Sequence, residues 1–137
     1  MEPEDLNDFA HRYTAAWNSG NAASVGAFFA PDGSLFVNGS PAVGRDAITA
    51  VAQGFMTAFP DLELTLDGLE TKTQSVIYHW TFAGTNTGPE GTGNAVHFSG
   101  YEEWTFEDDG LIALSMGHFD NAEYQHQLLY GVNSNKP

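Results

Sequence analysis

Val76-Ile77-Tyr78-His79-Trp80-Thr81-Phe82-Ala83-Gly84-Thr85 is the stretch that decides the fold. Its β-branched and aromatic content predicts a long strand. Alternation puts Tyr78, Trp80 and Phe82 on one face and Ile77, His79 and Thr81 on the other. Outward from it the pattern repeats. A Gly-rich connection, Gly84 to Gly93, leads to a strand from Val96 to Phe106, where Phe98, Gly100, Glu102 and Trp104 share a face. Asp108-Asp109-Gly110 predicts a hairpin turn into a last strand, Leu111 to Phe119. There Ser115, Gly117 and Phe119 oppose Leu114, Met116 and His118. Upstream, Leu62, Leu64 and Leu66 alternate with Glu63, Thr65 and Asp67, as in a half-buried strand. Together these predict a four-stranded antiparallel meander.

The first half reads as helix. Glu4 to Asn18 carries Leu6, Phe9, Tyr13 and Trp17 along one face. Pro3 suits its first position, Glu4 and Asp5 its positive end, and Gly20 its exit. A short helix is predicted over Asn21 to Phe29, burying Val25, Phe28 and Phe29, and Pro31-Asp32-Gly33 as a turn. Ser34 to Asn38 reads as a short strand and Gly39 to Gly44 as a loop. Arg45 to Phe59 reads as a third helix with Ile48, Val51, Phe55 and Phe59 as its stripe, stopped by Pro60. Asp120 is placed as the N-cap of a closing helix to about Tyr130, with Glu123 as its capping-box partner. Residues after Gly131 are expected to fray.

The chain of 137 residues is long enough for one domain and one core. It has no cysteine, so disulfide frameworks, thiolate nucleophiles and cysteine metal sites are excluded. Four basic residues face 18 acidic ones, a formal net charge of -14, which argues against nucleic-acid or anionic-membrane partners. The acidic start, Met1-Glu2-Pro3-Glu4-Asp5, is unlike a classical signal peptide, and a cytoplasmic location is expected.

Helices followed by a meander predict the α+β class. This order, and several segments within it, resembles the SnoaL-like (polyketide cyclase) branch of the nuclear-transport-factor-2-like superfamily. The segments include Trp17-Asn18-Ser19-Gly20-Asn21, Phe29-Ala30-Pro31-Asp32-Gly33, Gly44-Arg45-Asp46-Ala47, Phe59-Pro60-Asp61-Leu62, Gly84-Thr85-Asn86-Thr87-Gly88, Phe98-Ser99-Gly100, Asp109-Gly110-Leu111-Ile112 and Phe119-Asp120. The resemblance implies a cone-shaped, strongly curved, mainly antiparallel sheet with three N-terminal helices on its concave side. It implies a single domain over residues 1–137 with an ordered core of about 4–130.

The resemblance also assigns the faces. Tyr78, Trp80, Phe82, Phe98, Gly100, Glu102, Trp104, Ser115, Gly117 and Phe119 would face the cone, joined by Leu35 and Val37, by Tyr13 and Trp17 of the first helix, and by Phe55 of the third. That wall reads as a pocket for an apolar or aromatic small molecule. Glu102 would be its one carboxylate from the sheet, raised toward neutrality and suited to acid/base work. Tyr78 and a tryptophan N–H would orient the substrate. The competing reading makes Glu102 a rim residue, exposed together with Glu103 through a bulge at Gly100. In SnoaL-like cyclases the acid/base aspartate lies three positions before the aspartate that opens the final helix; here that position is Gly117. The limonene-epoxide-hydrolase relatives need an arginine and an aspartate where Trp80 and Phe82 stand. No cofactor and no metal are expected, since the five histidines make no ligand pattern. His79 and His118 would lie near each other on the convex face. Leu114 and Met116 on that face predict a homodimer through the sheet. Three functions stay open: an isomerase, aldol-type cyclase or dehydratase acting on a carbonyl compound, a non-catalytic binding protein, and a packed dimer module with little cavity.

Overall fold

The computed structural model describes residues 3–132, with side chains from Asp5 onward. Expectations for Met1, Glu2 and the tail from residue 133 lie outside the described residues. The elements run α1 (Pro3–Asn18), α2 (Ala22–Gly26), β1 (Phe29–Val37), β2 (Ser40–Val43), α3 (Arg45–Ala58), β3 (Glu63–Thr71), β4 (Val76–Thr85), β5 (Ala95–Phe106), β6 (Ile112–Phe119) and α4 (Asn121–Tyr130).

One six-stranded, curved and unclosed sheet has the order β2-β1-β6-β5-β4-β3. The predicted meander is its larger part, because β3, β4, β5 and β6 pair in succession, all antiparallel. The single parallel contact joins β1 to β6. The inward side chains of the middle strands meet Leu6, Phe9, Tyr13 and Trp17 of α1 and Ile48, Ala52 and Met56 of α3 in one apolar core. The fold is therefore α+β of the expected class.

Four local expectations are corrected. The second helix stops at Gly26, with the Asn21 side chain accepting from the Ala23 N–H at 3.1 Å, and Phe29 instead opens a strand. Pro31-Asp32-Gly33 is an irregularity inside β1, where the register to β6 shifts between Phe29 and Ser34. Ser40–Val43 is strand β2, not loop. Asn38 and Gly39 take φ of 50° and 87° between the paired Val37 and Ser40, the positive-φ pair of a tight hairpin. At α4, Asp120 Oδ1 accepts from the Glu123 N–H at 3.1 Å, but the Glu123 carboxylate accepts from Gln127 and does not close a capping box.

The edge of the sheet at β3 is covered at one point by α1. Asn18 accepts from the Leu64 N–H at 2.7 Å and donates to the Leu64 carbonyl at 2.9 Å, standing in for a missing neighbouring strand. On the convex face Tyr101 sits in register between His79 and His118, with ring centroids 6.3 and 5.1 Å away. Leu114 and Met116 are half-buried on the same side.

Candidate functional site

Strand alternation delivers the site. Glu102 lies in register between Tyr78 of β4 and Gly117 of β6. Pairing of β4 with β5 runs unshifted from Val76↔Trp104 to Thr85↔Ala95, so no bulge at Gly100 tips Glu102 outward. Glu102 is 8% exposed, whereas Glu103 on the other face is half-buried and accepts from the Ser75 hydroxyl.

Three neutral donors converge on the Glu102 carboxylate. Oε1 accepts from Ser115 Oγ at 2.7 Å, from Trp104 Nε1 at 3.0 Å and from Tyr13 Oη at 3.0 Å. Oε2 shares only the Tyr13 hydroxyl, at 3.1 Å, so it keeps unused acceptor capacity. Burial pushes the Glu102 carboxyl above its ordinary range, and the Trp104, Ser115 and Tyr13 donors pull it partly back. Burial and the Glu102 charge likewise hold the Tyr13 hydroxyl in its protonated, donating form.

In front of this carboxylate lies a hollow of about 60 Å³. Its lining includes Glu102 and an almost unbroken set of apolar groups: Trp17, Leu35, Val37, Phe55, Trp80, Phe82, Phe98 and Phe119, all anticipated, together with Val51, Leu64, Gly117 and His118. The rings form a chain, with centroid distances of 6.1 Å for Trp17–Phe55, 5.9 Å for Phe55–Phe82, 5.3 Å for Phe82–Phe98 and 5.2 Å for Phe98–Phe119. Gly117 leaves space at the carboxylate: a Cβ there would lie 3.7 Å from Glu102 Cγ and 3.0 Å from the Phe36 carbonyl oxygen. The Trp17 indole N–H is buried and has no hydrogen-bond partner of ordinary geometry, although it is near enough to the Tyr13 hydroxyl to ease that group's ionisation.

Tyr13, Trp104 and Tyr78 stand behind the wall rather than on it. Tyr78 is stacked on Trp104 at 4.7 Å between ring centroids. Its hydroxyl meets Thr14 Oγ1 at 2.5 Å, and Thr14 in turn donates to the Ala10 carbonyl, so Tyr78 is the donor to Thr14. That proton is committed within the core, and the orienting role expected of Tyr78 is corrected. Ser115 and Thr14 were missed as members of the polar network. Strand parity already puts Ser115 on the cone face with Gly117, but parity does not report its bond to Glu102. Thr14 shows no such signal, because only the docking of α1 on β4 brings it to Tyr78.

A family profile for the SnoaL-like domain matches residues 10–115. The chain belongs to the SnoaL-like domain family. No curated protein matches it closely in sequence. Among solved structures, this SnoaL-like chain is similar to a hypothetical protein of ketosteroid isomerase-like fold from Catenulispora acidiphila DSM 44928, in complex with trimethylamine. Identity there is 16%, coverage 93% of this chain and 94% of the other, and the TM-score 0.78. It is similar to an NTF2-like protein of unknown function from Burkholderia pseudomallei K96243, at 19% identity, 93% and 98% coverage and a TM-score of 0.78. A candidate SnoaL-like polyketide cyclase from Jannaschia sp. CCS1 gives 15% identity, 100% and 98% coverage and a TM-score of 0.74. At these identities the SnoaL-like chain shares a fold with all three; the likeness carries no activity across. Among the described residues, no helix is long and apolar enough to cross a membrane.

Proposed function

We propose that this SnoaL-like protein binds a small, mainly apolar molecule in the ring-lined hollow, and that Glu102 exchanges a proton with it. The observation that carries the reading is Glu102 itself: buried, held by Ser115, Trp104 and Tyr13, with one oxygen carrying only a shared hydrogen bond, in the lining of an otherwise apolar cavity. A carboxyl raised by burial is a stronger proton acceptor than an exposed one, which suits it to take and return a proton. Trp17 also lines the hollow, and its buried N–H, which lacks a well-formed partner, supports it as the donor to a substrate carbonyl oxygen. The reaction class is thus cofactor-independent proton transfer on a carbonyl compound, as in an isomerase, an aldol-type cyclase or a dehydratase.

Two further points support it. Gly117 occupies the position where the resemblance expects an acid/base aspartate, and Glu102 is its direct partner across the β5–β6 ladder. One strand's missing carboxylate is supplied by the next. The neighbour in complex with trimethylamine is a protein of this fold with a small alkyl-bearing molecule, and a cavity of about 60 Å³ suits ligands of that size better than extended ones. The same cavity also supports a second reading, a binding protein without turnover.

Small cyclic ketones in deuterated water separate the two. Exchange at the carbon beside the carbonyl, followed by proton NMR with cyclopentanone, should be faster with the wild-type protein than without it. Glu102→Gln should reduce that exchange by ~100-fold or more, the usual scale of a positioned acid/base, while ketone binding persists. Binding with no enhanced exchange would leave the binding-protein reading standing alone.

A further inference from the structure

We propose that the hollow is a receptor for small alkylammonium ions, with Glu102 as the counter-charge and the surrounding rings as its wall. The inference rests on the reading of the hollow as a ligand site but does not require turnover.

The charge is the first argument. Glu102 is the only carboxylate in the lining, and the donors that reach it are a hydroxyl, a phenol and an indole, all neutral. The described cationic side chains are engaged elsewhere or distant in the chain. Arg12 pairs with Asp8 at 2.8 Å, Arg45 donates to the Phe29 carbonyl, and Lys72 lies beyond β3, where its backbone N–H bonds the Ser75 carbonyl. None of these three lines the hollow; the titratable base in the lining is His118, whose ring packs 5.1 Å from that of Tyr101 and is not among the Glu102 hydrogen-bond donors. A buried carboxyl with no cation beside it is pushed toward its neutral form, and a cation entering the hollow would supply the missing partner and favour the ionised form.

The wall is the second argument. Trp17, Phe55, Trp80, Phe82, Phe98 and Phe119 surround the space with aromatic groups. Ring faces carry negative potential and attract alkylated ammonium groups, which shed water readily and are held by such cages. Neutral ligands would satisfy the rings without offsetting the burial of Glu102, whereas a cation would do both. Anionic ligands would meet Glu102 directly, and a protein of net charge -14 would repel them on approach while drawing cations in. The volume of about 60 Å³ limits the head group to a compact one.

The test compares isosteres. Trimethylammonium, tetramethylammonium and the neutral tert-butanol are titrated separately against the full chain, with binding read from their methyl NMR signals. Both cations should bind roughly tenfold or more tightly than the alcohol. Glu102→Gln should abolish that preference while leaving the alcohol's affinity nearly unchanged. Phe55→Leu, which keeps the carboxylate, should weaken the cations more than the alcohol and carries the test if the Glu102 variant does not fold. Equal binding of alcohol and cations, or a preference that survives in Glu102→Gln, would overturn the cation inference and leave the hollow as a site for neutral ligands. If none of the three probes binds, the reading of the hollow as a ligand site fails along with it.

Discussion

Glu102 keeps its proton longer in the folded protein than in the unfolded chain, because burial raises its carboxyl above the usual 4.5. The folded state therefore binds more protons over the window between that value and the raised one. Its contribution to stability is full below the window and is lost as pH rises through the folded value. Glu102→Gln is neutral throughout and lacks this loss. The variant should gain stability relative to wild type between about pH 4 and pH 8, by about 1.4 kcal/mol for each pH unit by which the carboxyl is raised. Urea unfolding at the two pH values measures this; parallel profiles would show that the carboxyl is not raised. Glu102 could be singled out beforehand because parity counted from Trp104 and Phe98 puts it among the rings. Its donors divide by kind. Ser115 follows the same parity on the next strand, while Tyr13 arrives from a helix 89 residues away, and no local pattern reports that distance.

Between strands, the closest approach at a glycine is at Gly100. A Cβ there would collide with the His118 carbonyl oxygen and come within 2.5 Å of Trp80 Cζ2. The bare backbone of β5 thus lets the Trp80 ring of β4 lie flat toward β6 and serve as cavity wall. Gly100→Ala should destabilise the protein by about 3 kcal/mol, the upper range for overpacking, read as a lower urea midpoint. An unchanged midpoint would mean that Trp80 moves freely, which its 8% exposure argues against. The long strands and helices were legible because their periodicities of 2 and 3.6 run over many residues. The errors cluster where the signals are short. Phe28 and Phe29 continue an apolar run that reads equally as helix or strand, and the tight Asn38-Gly39 turn leads into a β segment too brief to show a period.

Across the whole molecule, the convex face of the sheet is a broad surface of rings and half-buried apolar side chains that a partner could cover. Tyr101, flanked by His79 and His118, is 37% exposed beside the half-buried Leu114 and Met116. A second copy packed on this face is expected, so sedimentation should give a dimer and Tyr101→Glu a monomer. A monomeric wild type at high micromolar concentration would remove that expectation. The face is legible from alternation, but its partner is not, since the residue pattern of a covered sheet is the same whatever covers it.

The parallel ladder of β1 on β6 joins Val37 to Gly117, residues 80 apart in the chain (117 − 37). Local turns can nucleate the meander early, but a closure over that span carries a larger entropy cost and comes late. Leu35 and Val37 reach the cavity only through this closure. A folding intermediate holding only the β3–β6 meander would have Glu102 and Ser115 side by side with one wall absent. Ligand capture would then report completion of the native state rather than mere collapse.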